Sequence, residues 1–204
     1  MSDELALLGA EAAVCTACRL ASTRTQVVFG VGDPHADVMF IGEAPGRNED
    51  LEGEPFVGAA GQLLNRLMEG IGLSRDQVYI ANVIKCRPPN NRDPLQDEID
   101  SCKGYLRSQL AMIDPKVVVT LGNFATKLLL KTEHGITRLR GSAYPWWRDK
   151  ALIPTYHPAA ALRSGDKVLK AMEEDFALIR ATLDRPVLAA SVDEAEPEQM
   201  NLFA

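Results

Sequence analysis

Apolar and polar residues alternate along this chain in blocks that are typical of an α/β protein. Four short apolar runs predict buried strands at residues 37–41, 77–84, 116–121 and 151–155. Between the first two runs, apolar residues recur at helical spacing, namely Leu63, Leu64, Leu67, Met68 and Ile71. Amphipathic helices are accordingly predicted at residues 61–71, 95–112, 122–131 and 167–183. This alternation predicts a parallel sheet with helices packed on its faces.

Polar side chains stand at the ends of these predicted strands. Glu43 follows the first strand, Asn82 lies near the end of the second, Asn123 follows the third and His157 follows the fourth. Parallel strands bring their carboxyl ends to one edge of a sheet, where open α/β sheets bind ligands. Each residue alone also has an ordinary explanation, as a turn former, a surface carboxylate or a structural histidine. Together they predict a site that combines a carboxylate, an amide and an imidazole.

The segment at residues 53–61 is rich in glycine and contains one aromatic residue, Phe56. Glycine lets a backbone approach a ligand closely, and the predicted helix that follows would present its N-terminus to an anion. Phe56 is compatible with a core position as well. Together with Asn82 and His157, however, its aromatic face completes the set of groups that reads one unpaired planar base.

The chain has four cysteines, which are Cys15, Cys18, Cys86 and Cys102. The first two form a Cys-x-x-Cys turn, and a protein of the cytosol rarely uses structural disulfides, so a metal centre is predicted. The two single thiols favour a [4Fe-4S] cluster over zinc, which stays the alternative. A further alternative is that Cys86 and Cys102 are small buried core residues. Beside a metal centre, Arg19, Lys85 and Arg87 are expected to form a basic rim suited to phosphate.

Length and composition indicate a soluble protein of ordinary type. The 204 residues, 46% of them hydrophobic, predict one domain at residues 1–188. No apolar run approaches the roughly 20 residues that span a bilayer, and the first residues lack the pattern of a secretory signal. We therefore expect a cytoplasmic monomer without membrane contact.

The net charge of −6 by itself argues against a nucleic-acid partner. The charge is unevenly distributed, however, because residues 187–204 contain no Lys or Arg and four acidic residues, Asp193, Glu194, Glu196 and Glu198. The rest of the chain is close to neutral, so its charge is compatible with DNA binding. The polar end at residues 189–204 is predicted to be disordered.

Several motifs together resemble the iron-sulfur (family 4) uracil-DNA glycosylases of bacteria and archaea. The resemblance covers residues 15–163 and rests on the cysteine spacing and on GEAPG at 42–46, GEPFVG at 53–58, NV at 82–83 and HPAA at 157–160. It implies a three-layer α/β/α sandwich around a central four-stranded parallel sheet, and a structural [4Fe-4S] cluster. It also implies an enzyme that flips uracil out of DNA and hydrolyses its N-glycosidic bond, which starts base excision repair.

The resemblance assigns the contacts to the uracil base. It implies that Phe56 stacks on the flipped uracil and that Asn82 bonds the O4 and N3–H edge, which distinguishes uracil from cytosine. It also implies that His157 donates to O2 and stabilises the uracil anion as the bond breaks. A donor placed where charge develops in this way contributes roughly 3 kcal/mol to catalysis.

The resemblance leaves the role of Glu43 open. Glu43 is a candidate for positioning the attacking water or for stabilising the oxocarbenium-like sugar, and the alternative is that it mainly shapes the pocket. The backbone at Gly42 and Ala44 would complete the pocket wall.

The segment after His157 is predicted to contact DNA. Residues 159–163 are expected to form a loop that enters the minor groove where the flipped base leaves a gap, with an apolar wedge. The family usually has a bulkier residue where Ala161 stands, so Leu162 is expected to act as the wedge. Arg163 is expected to contact a phosphate.

The last six residues match a docking motif of bacterial repair proteins. Gln199, Leu202 and Phe203 fit the Gln-x-x-Leu-Phe pattern with which such proteins bind the sliding clamp. Apolar anchors on a flexible tail commonly fold onto a partner. The tail is therefore predicted to bind the clamp.

Two other functions are alternatives to the glycosylase. A related group with the same cluster traps uracil-DNA without turnover and carries a basic insert with an extra histidine before the His-Pro segment. Residues 137–141 contain no such histidine, and His134 stands in a different context. A Rossmann-type nucleotide enzyme is the other candidate, but the first strand is not followed by a GxGxxG fingerprint.

Overall fold

A computed structural model describes residues 3–185 and contains a six-stranded sheet with the order β1-β3-β2-β4-β6-β5. The strands are β1 (Val31–Gly32), β2 (Val38–Gly42), β3 (Tyr79–Asn82), β4 (Val117–Leu121), β5 (Tyr144–Trp146) and β6 (Lys150–Thr155). The central four, β3, β2, β4 and β6, are parallel, whereas β1 and β5 pair antiparallel at the two edges. The predicted four-stranded parallel sheet is therefore confirmed as the centre of a wider sheet.

Helices cover both faces of the sheet. They are α1 (Asp3–Ala13), α2 (Arg47–Glu52), α3 (Ala59–Glu69), α4 (Gln96–Ile113), α5 (Asn123–Leu130), α6 (Ile136–Leu139), α7 (Pro158–Ser164) and α8 (Asp166–Leu183). One hydrophobic core joins the sheet to α1, α4 and α5, and a second joins it to α3, α7 and α8. This is the predicted three-layer α/β/α sandwich.

The register of the parallel strands brings their carboxyl ends together. Gly42 at the end of β2 lies opposite Asn82 at the end of β3, and Leu121 of β4 lies opposite Thr155 of β6. Every residue of β2, β3 and β4 is buried, as expected for strands covered on both faces. The residues that follow these strands therefore share one edge of the sheet.

Some predicted boundaries differ from the structure. The strand predicted at 77–84 is paired only from Tyr79 to Asn82, because Arg75–Gln77 forms a 3₁₀ turn and the chain leaves the ladder after residue 82. The short edge strands β1 and β5 were not predicted. Each is only two or three residues long, and one contains Gly32 and the other Pro145, which are unfavourable in strands.

The loop expected at residues 159–163 is instead the short helix α7, and this expectation was wrong. Pro158 occupies the first helical turn, where its missing N–H costs nothing. His157 is the N-cap residue, and its side chain accepts a hydrogen bond from the backbone N–H of Ala159. Three alanines at 159–161 then favour the helix.

Within residues 3–185 no helix is long and apolar enough to cross a membrane. The tail predicted to be disordered, and with it the clamp-binding segment, lies outside the described residues.

Candidate active site

The strand ends meet at one open cavity of about 760 Å³. Most residues predicted for the site border this cavity, and they are Glu43, Ala44, Phe56, Asn82, His157 and Arg163. Gly42 lies directly beneath it, with its α-carbon beside the side chains of Phe56 and Asn82. The expected convergence of a carboxylate, an amide, an aromatic ring and an imidazole is therefore present.

Phe56 forms one wall of the cavity in a backbone conformation that is unusual for its residue type. Its φ angle is 55°, and its ring centroid lies 5.6 Å from that of His157. The carboxylate of Glu49 accepts hydrogen bonds from the N–H groups of Val57 and Gly58 at 3.1 and 3.3 Å. On the other side, Arg75 donates to the carbonyl of Phe56 at 3.4 Å. These hydrogen bonds from Glu49 and Arg75 hold the backbone around Phe56 and thereby fix the position of its ring.

The sequence did not indicate that Glu49 and Arg75 take part in the site. Neither belongs to a recognisable motif, and Arg75 is 19 residues from Phe56 along the chain. The left-handed conformation of Phe56, which creates the need for these two contacts, is a property of the folded loop.

Asn82 presents an amide whose hydrogen-bonding capacity is not fully used by the protein. The side chain is 2% exposed, and its Oδ1 atom has no hydrogen-bond partner within the described residues. Buried polar atoms are nearly always bonded, so an open acceptor at a cavity wall indicates a ligand. A Cβ atom at Gly42 would lie 2.4 Å from this Oδ1, so glycine is what leaves the amide room.

His157 is held as a neutral imidazole with a known tautomer. Burial and, to a smaller extent, the charge of Arg163 lower its pKa to about 4, while Glu49 acts in the opposite direction. Its Nδ1 atom accepts the hydrogen bond from the N–H of Ala159 at 3.2 Å. A backbone N–H can only donate, so the ring proton of the neutral form must be on Nε2. His157 is therefore a neutral N–H donor.

Glu43 is half-buried at the same cavity, and its carboxyl group titrates near neutrality. Burial raises its pKa to about 7, and the nearby charge of Asp93 contributes to the increase. Asp93 also borders the cavity, within the loop that leads from Cys86 to α4. A carboxylate with such a pKa suits proton transfer at neutral pH.

The two residues predicted to contact DNA lie on α7. Leu162 is 50% exposed, although it is a large apolar side chain, and it does not border the cavity. Arg163 is exposed and borders the cavity next to His157. An exposed leucine and a cation thus stand directly beside the candidate site.

The four cysteines form a second candidate site, away from the first cavity. All four line one small, mainly apolar cavity between the N-terminal segment, the loop after β3 and helix α4. Cys86 and Cys102 are buried, and burial raises the pKa of Cys102 to about 11. Within residues 3–185, however, no three His, Cys, Asp or Glu side chains are grouped so that they could hold a metal ion.

The basic rim expected around the thiols is only partly present. Lys85 is 1% exposed and points into the protein, so its assignment to the rim was wrong. Arg19 pairs with Asp97, although it is exposed. A cation outside the predicted rim also contacts a thiol, because the Arg24 guanidinium donates to the Cys86 Sγ at 3.4 Å. Arg24 could not be predicted from the sequence, because it lies 62 residues from its partner.

Comparison with known proteins defines the class of this fold and site. The family model described as "Uracil DNA glycosylase superfamily" matches residues 29–183, which include β1 to α8 and every group that lines the first cavity. The carboxylate, amide, ring and imidazole thus belong to the shared domain of that superfamily.

Several curated relatives are similar over most of their length. The type-4 uracil-DNA glycosylase of Sulfurisphaera tokodaii is 50% identical over 87% of this chain and 84% of its own. That of Saccharolobus solfataricus is 45% identical over 98% of both chains, and that of Archaeoglobus fulgidus is 49% identical over 72% of this chain and 78% of its own. The chain belongs to the type-4 uracil-DNA glycosylase family.

Proposed function

We propose that this protein excises uracil from DNA by hydrolysing the N-glycosidic bond of a flipped deoxyuridine. The observation that carries the proposal is the neutral His157 with its proton on Nε2, in one cavity with the Phe56 ring and the open Asn82 amide. The N–H donor matches O2 of uracil, and the amide, which can both donate and accept, matches N3–H and O4. The aromatic ring matches the flat face of the base. The family membership supports the same conclusion.

Base recognition is assigned to Phe56, Asn82 and the wall at Gly42 and Ala44. Phe56 stacks on the uracil ring, and the Asn82 amide accepts from N3–H through Oδ1 and donates to O4. Cytosine has an amino group in place of O4. The N–H of the Asn82 amide would then face another hydrogen-bond donor, which disfavours cytosine. The close approach of Gly42 to both side chains supports this arrangement, because it leaves a narrow slot for a planar ring.

His157 is assigned to the leaving group. Uracil departs with a negative charge that is shared between N1 and O2, and the sugar becomes oxocarbenium-like. A neutral Nε2–H donor aimed at O2 bonds this charge more strongly in the transition state than in the substrate. It requires no proton transfer, which agrees with an imidazole whose pKa is about 4.

Glu43 is assigned to the sugar side of the reaction. Its ionised carboxylate orients the attacking water and accepts a proton from it as the C–O bond forms. It also offsets the positive charge that develops on the sugar. The carboxyl pKa of about 7 supports this role, because a base of that strength is partly ionised at neutral pH and retains proton affinity.

The cysteine cavity is proposed to hold a structural [4Fe-4S] cluster through Cys15, Cys18, Cys86 and Cys102. The donor set fits, because four thiols and no histidine border one cavity. These four thiolates would hold the cluster, and a spread set of thiols suits it better than a zinc site, which would require them to converge on one ion. Once bound, the cluster links the N-terminal segment to the loop after β3 and to α4, and no step of hydrolysis uses it.

The face around α7 is proposed to bind DNA. Leu162 inserts into the gap that the flipped base leaves, and Arg163 contacts an adjacent phosphate. The exposure of Leu162 beside the cavity supports this assignment. A protein that only traps uracil-DNA is not favoured, since residues 137–141 lack the extra histidine and His134 is exposed outside the cavity lining.

The function is tested by incubation with a uracil-containing oligonucleotide. We expect alkali-labile abasic product over multiple turnovers, and none from the matching oligonucleotide that has thymine or cytosine at that position. A stable protein–DNA species, or the absence of product, would reject the enzyme in favour of a binding protein.

Gly42→Ala is expected to reduce the rate of uracil release by about a hundredfold while the fold is kept. The new methyl group would lie 2.4 Å from Asn82 Oδ1 and 2.7 Å from the Phe56 ring, so both base contacts must move. Single-turnover kinetics and the thermal midpoint measure the two effects. Gly104→Ala is the matched control, because nothing lies within 4 Å of its added Cβ. An unchanged rate in Gly42→Ala would show that the base does not bind here.

Purified protein is expected to contain about four iron atoms per chain, with a broad visible absorption band. Cys102→Ala should lose the iron and lower the thermal midpoint by about 10 °C, because cluster binding and folding are coupled. The neighbouring substitution Ser101→Ala is the control, since Ser101 is exposed and borders the same cavity but carries no thiol. Iron-free protein with stoichiometric zinc would overturn the cluster assignment.

The tail is proposed to bind the sliding clamp through Gln199, Leu202 and Phe203, which lie outside the described residues. A chain that ends at Ala190 is expected to bind the clamp at least about tenfold more weakly than the full chain, because it lacks both apolar anchors. Calorimetry with purified clamp measures the two affinities. Equal affinities would contradict the assignment.

A further inference from the structure

Lys85 is a fully buried lysine without a carboxylate partner in the described part of the chain. It is 1% exposed, and the titratable group next to it there is the Cys102 thiol. The other lysine buried within residues 3–185, Lys150, pairs with Asp114 in the usual way. Burying an amino group is costly unless hydrogen bonds compensate, so the contacts of Lys85 need an explanation.

The amino group of Lys85 is bonded to two oxygen atoms. It donates to the backbone carbonyl of Asn82 at 2.8 Å and to the Oε1 atom of Gln109 at 2.6 Å. The first acceptor belongs to the residue whose side-chain amide is open to the cavity. Lys85 borders the cysteine cavity and not the first cavity, so it contacts the candidate base-reading residue from outside the base pocket.

Lys85 is itself held firmly by α4. Its backbone N–H donates to the Cys102 Sγ at 3.2 Å, and its amino group meets Gln109, which is seven residues further along the same helix. Two helical turns separate these residues, so they lie on one face of α4. Gln109 is fixed in turn, because its Nε2 atom donates to the Phe29 carbonyl at 2.9 Å.

Asn82 needs such a support because of its position in the sheet. It is the last paired residue of β3, opposite Gly42 at the end of β2. Beyond it the N–H groups of Val83 and Ile84 still bond to the carbonyls of Gly42 and Glu43, but the Asn82 Oδ1 atom has no bond within the described residues that would fix the side chain. The direction of the amide therefore depends on how the Asn82 backbone is held.

We propose that Lys85 is a positioning residue for base recognition, which fixes the Asn82 backbone against α4 and thereby orients the side-chain amide toward uracil. The inference rests on the proposed function, in which Asn82 reads the base. It adds a residue that never touches the substrate and acts only through Asn82. It also connects the cysteine-bearing helix to the pocket by direct hydrogen bonds.

A double-mutant cycle tests this role. Lys85→Met keeps the length of the side chain and leaves the Asn82 carbonyl without its donor. We expect the single-turnover rate of uracil release to fall by about ten- to a hundredfold. In an Asn82→Ala background, the same substitution should lower the rate by less than about twofold, because the amide that it positions is already absent.

Three further measurements separate positioning from a general structural role. Free uracil should inhibit the Lys85→Met enzyme at least about tenfold more weakly than the wild type, since it probes the base pocket alone. Iron content should be unchanged. Lys116→Met, which removes a half-exposed lysine paired with Asp37, is the control and should alter neither rate nor inhibition.

Each contrary result identifies what has failed. Equal losses in both backgrounds, or unchanged inhibition by free uracil, would overturn the positioning role. If Lys85→Met does not fold, the cycle is run with Lys85→Gln, which can still donate to one of the two oxygens. Loss of iron from both variants would also overturn the inference, because Lys85 would then serve the cluster. Absence of uracil release by the wild type would instead reject the proposed function.

Discussion

Replacing His157 with alanine is expected to lower the single-turnover rate of uracil release by about 10²- to 10³-fold. The substitution removes the Nε2–H donor at the position where negative charge develops on uracil O2. Substrate binding should weaken much less, because the donor bonds the anion more strongly than the neutral base. Rapid-quench measurement of the chemical step, together with the Kd for uncleaved DNA, separates the two effects.

The pH dependence gives an independent check on His157. Burial and the charge of Arg163 set its pKa at about 4, so the imidazole is neutral at every pH above about 5. The neutral, active form is therefore fully populated above about pH 5. Titration of His157 should consequently cause no loss of activity as the pH rises through about 6.5. His35→Ala is the matched control, since His35 is exposed in a loop. A pH profile that loses such a midpoint only in His157→Ala would show that the imidazolium is the active form.

The central architecture could be predicted from the sequence because its signals are local. Each strand of the parallel sheet is a short apolar run, and the long helices carry a regular apolar stripe, so both patterns reveal burial directly. The strand ends then place Glu43, Asn82 and His157 on one edge without knowledge of any contact. The edge strands β1 and β5 have no such signal, since their short segments pair only because a neighbouring strand is present.

The supporting contacts of the site could not be predicted, for a common physical reason. Lys85 was expected in the basic rim at the surface, as charged residues normally are, and no motif pointed to Arg24. In the structure Lys85 is buried among carbonyl groups, and Arg24 bonds a thiol that is distant in sequence. Their positions follow from the packing of α4 and the N-terminal segment against the loop after β3. Such contacts arise from tertiary structure and produce no regular pattern in the amino-acid sequence.

His157 illustrates how local chemistry and tertiary burial combine. The sequence placed it after a strand and before proline, which is consistent with the N-cap that it occupies. The hydrogen bond from Ala159 follows from that capping position and determines the tautomer. Its low pKa depends on burial in the cavity beside Arg163, which only the fold provides. The identity of the residue was thus predictable, but its protonation state was not.

Glu43→Gln is expected to lower the rate of uracil release by about a hundredfold and to remove a pH-dependent limb of the profile. In the wild type, burial and the charge of Asp93 raise the carboxyl pKa to about 7. The proposed active form is the carboxylate. Activity of the free enzyme, measured as kcat/KM, should therefore rise as the pH increases through about 7 and level off above it. Glu69→Gln, an exposed carboxylate at the end of α3, is the control.

Asp93→Asn separates a proton-accepting role from a purely spatial one. Removal of this negative charge lowers the pKa of Glu43, because the carboxylate then has one like charge fewer beside it. The rising limb should consequently move to lower pH, and activity at pH values below about 7 should increase relative to the plateau. If Glu43 only shapes the pocket, the glutamine variant keeps its shape and should retain the rate, and Asp93→Asn should leave the limb in place. A shifted limb together with a slow Glu43→Gln enzyme would identify Glu43 as the group that handles the attacking water.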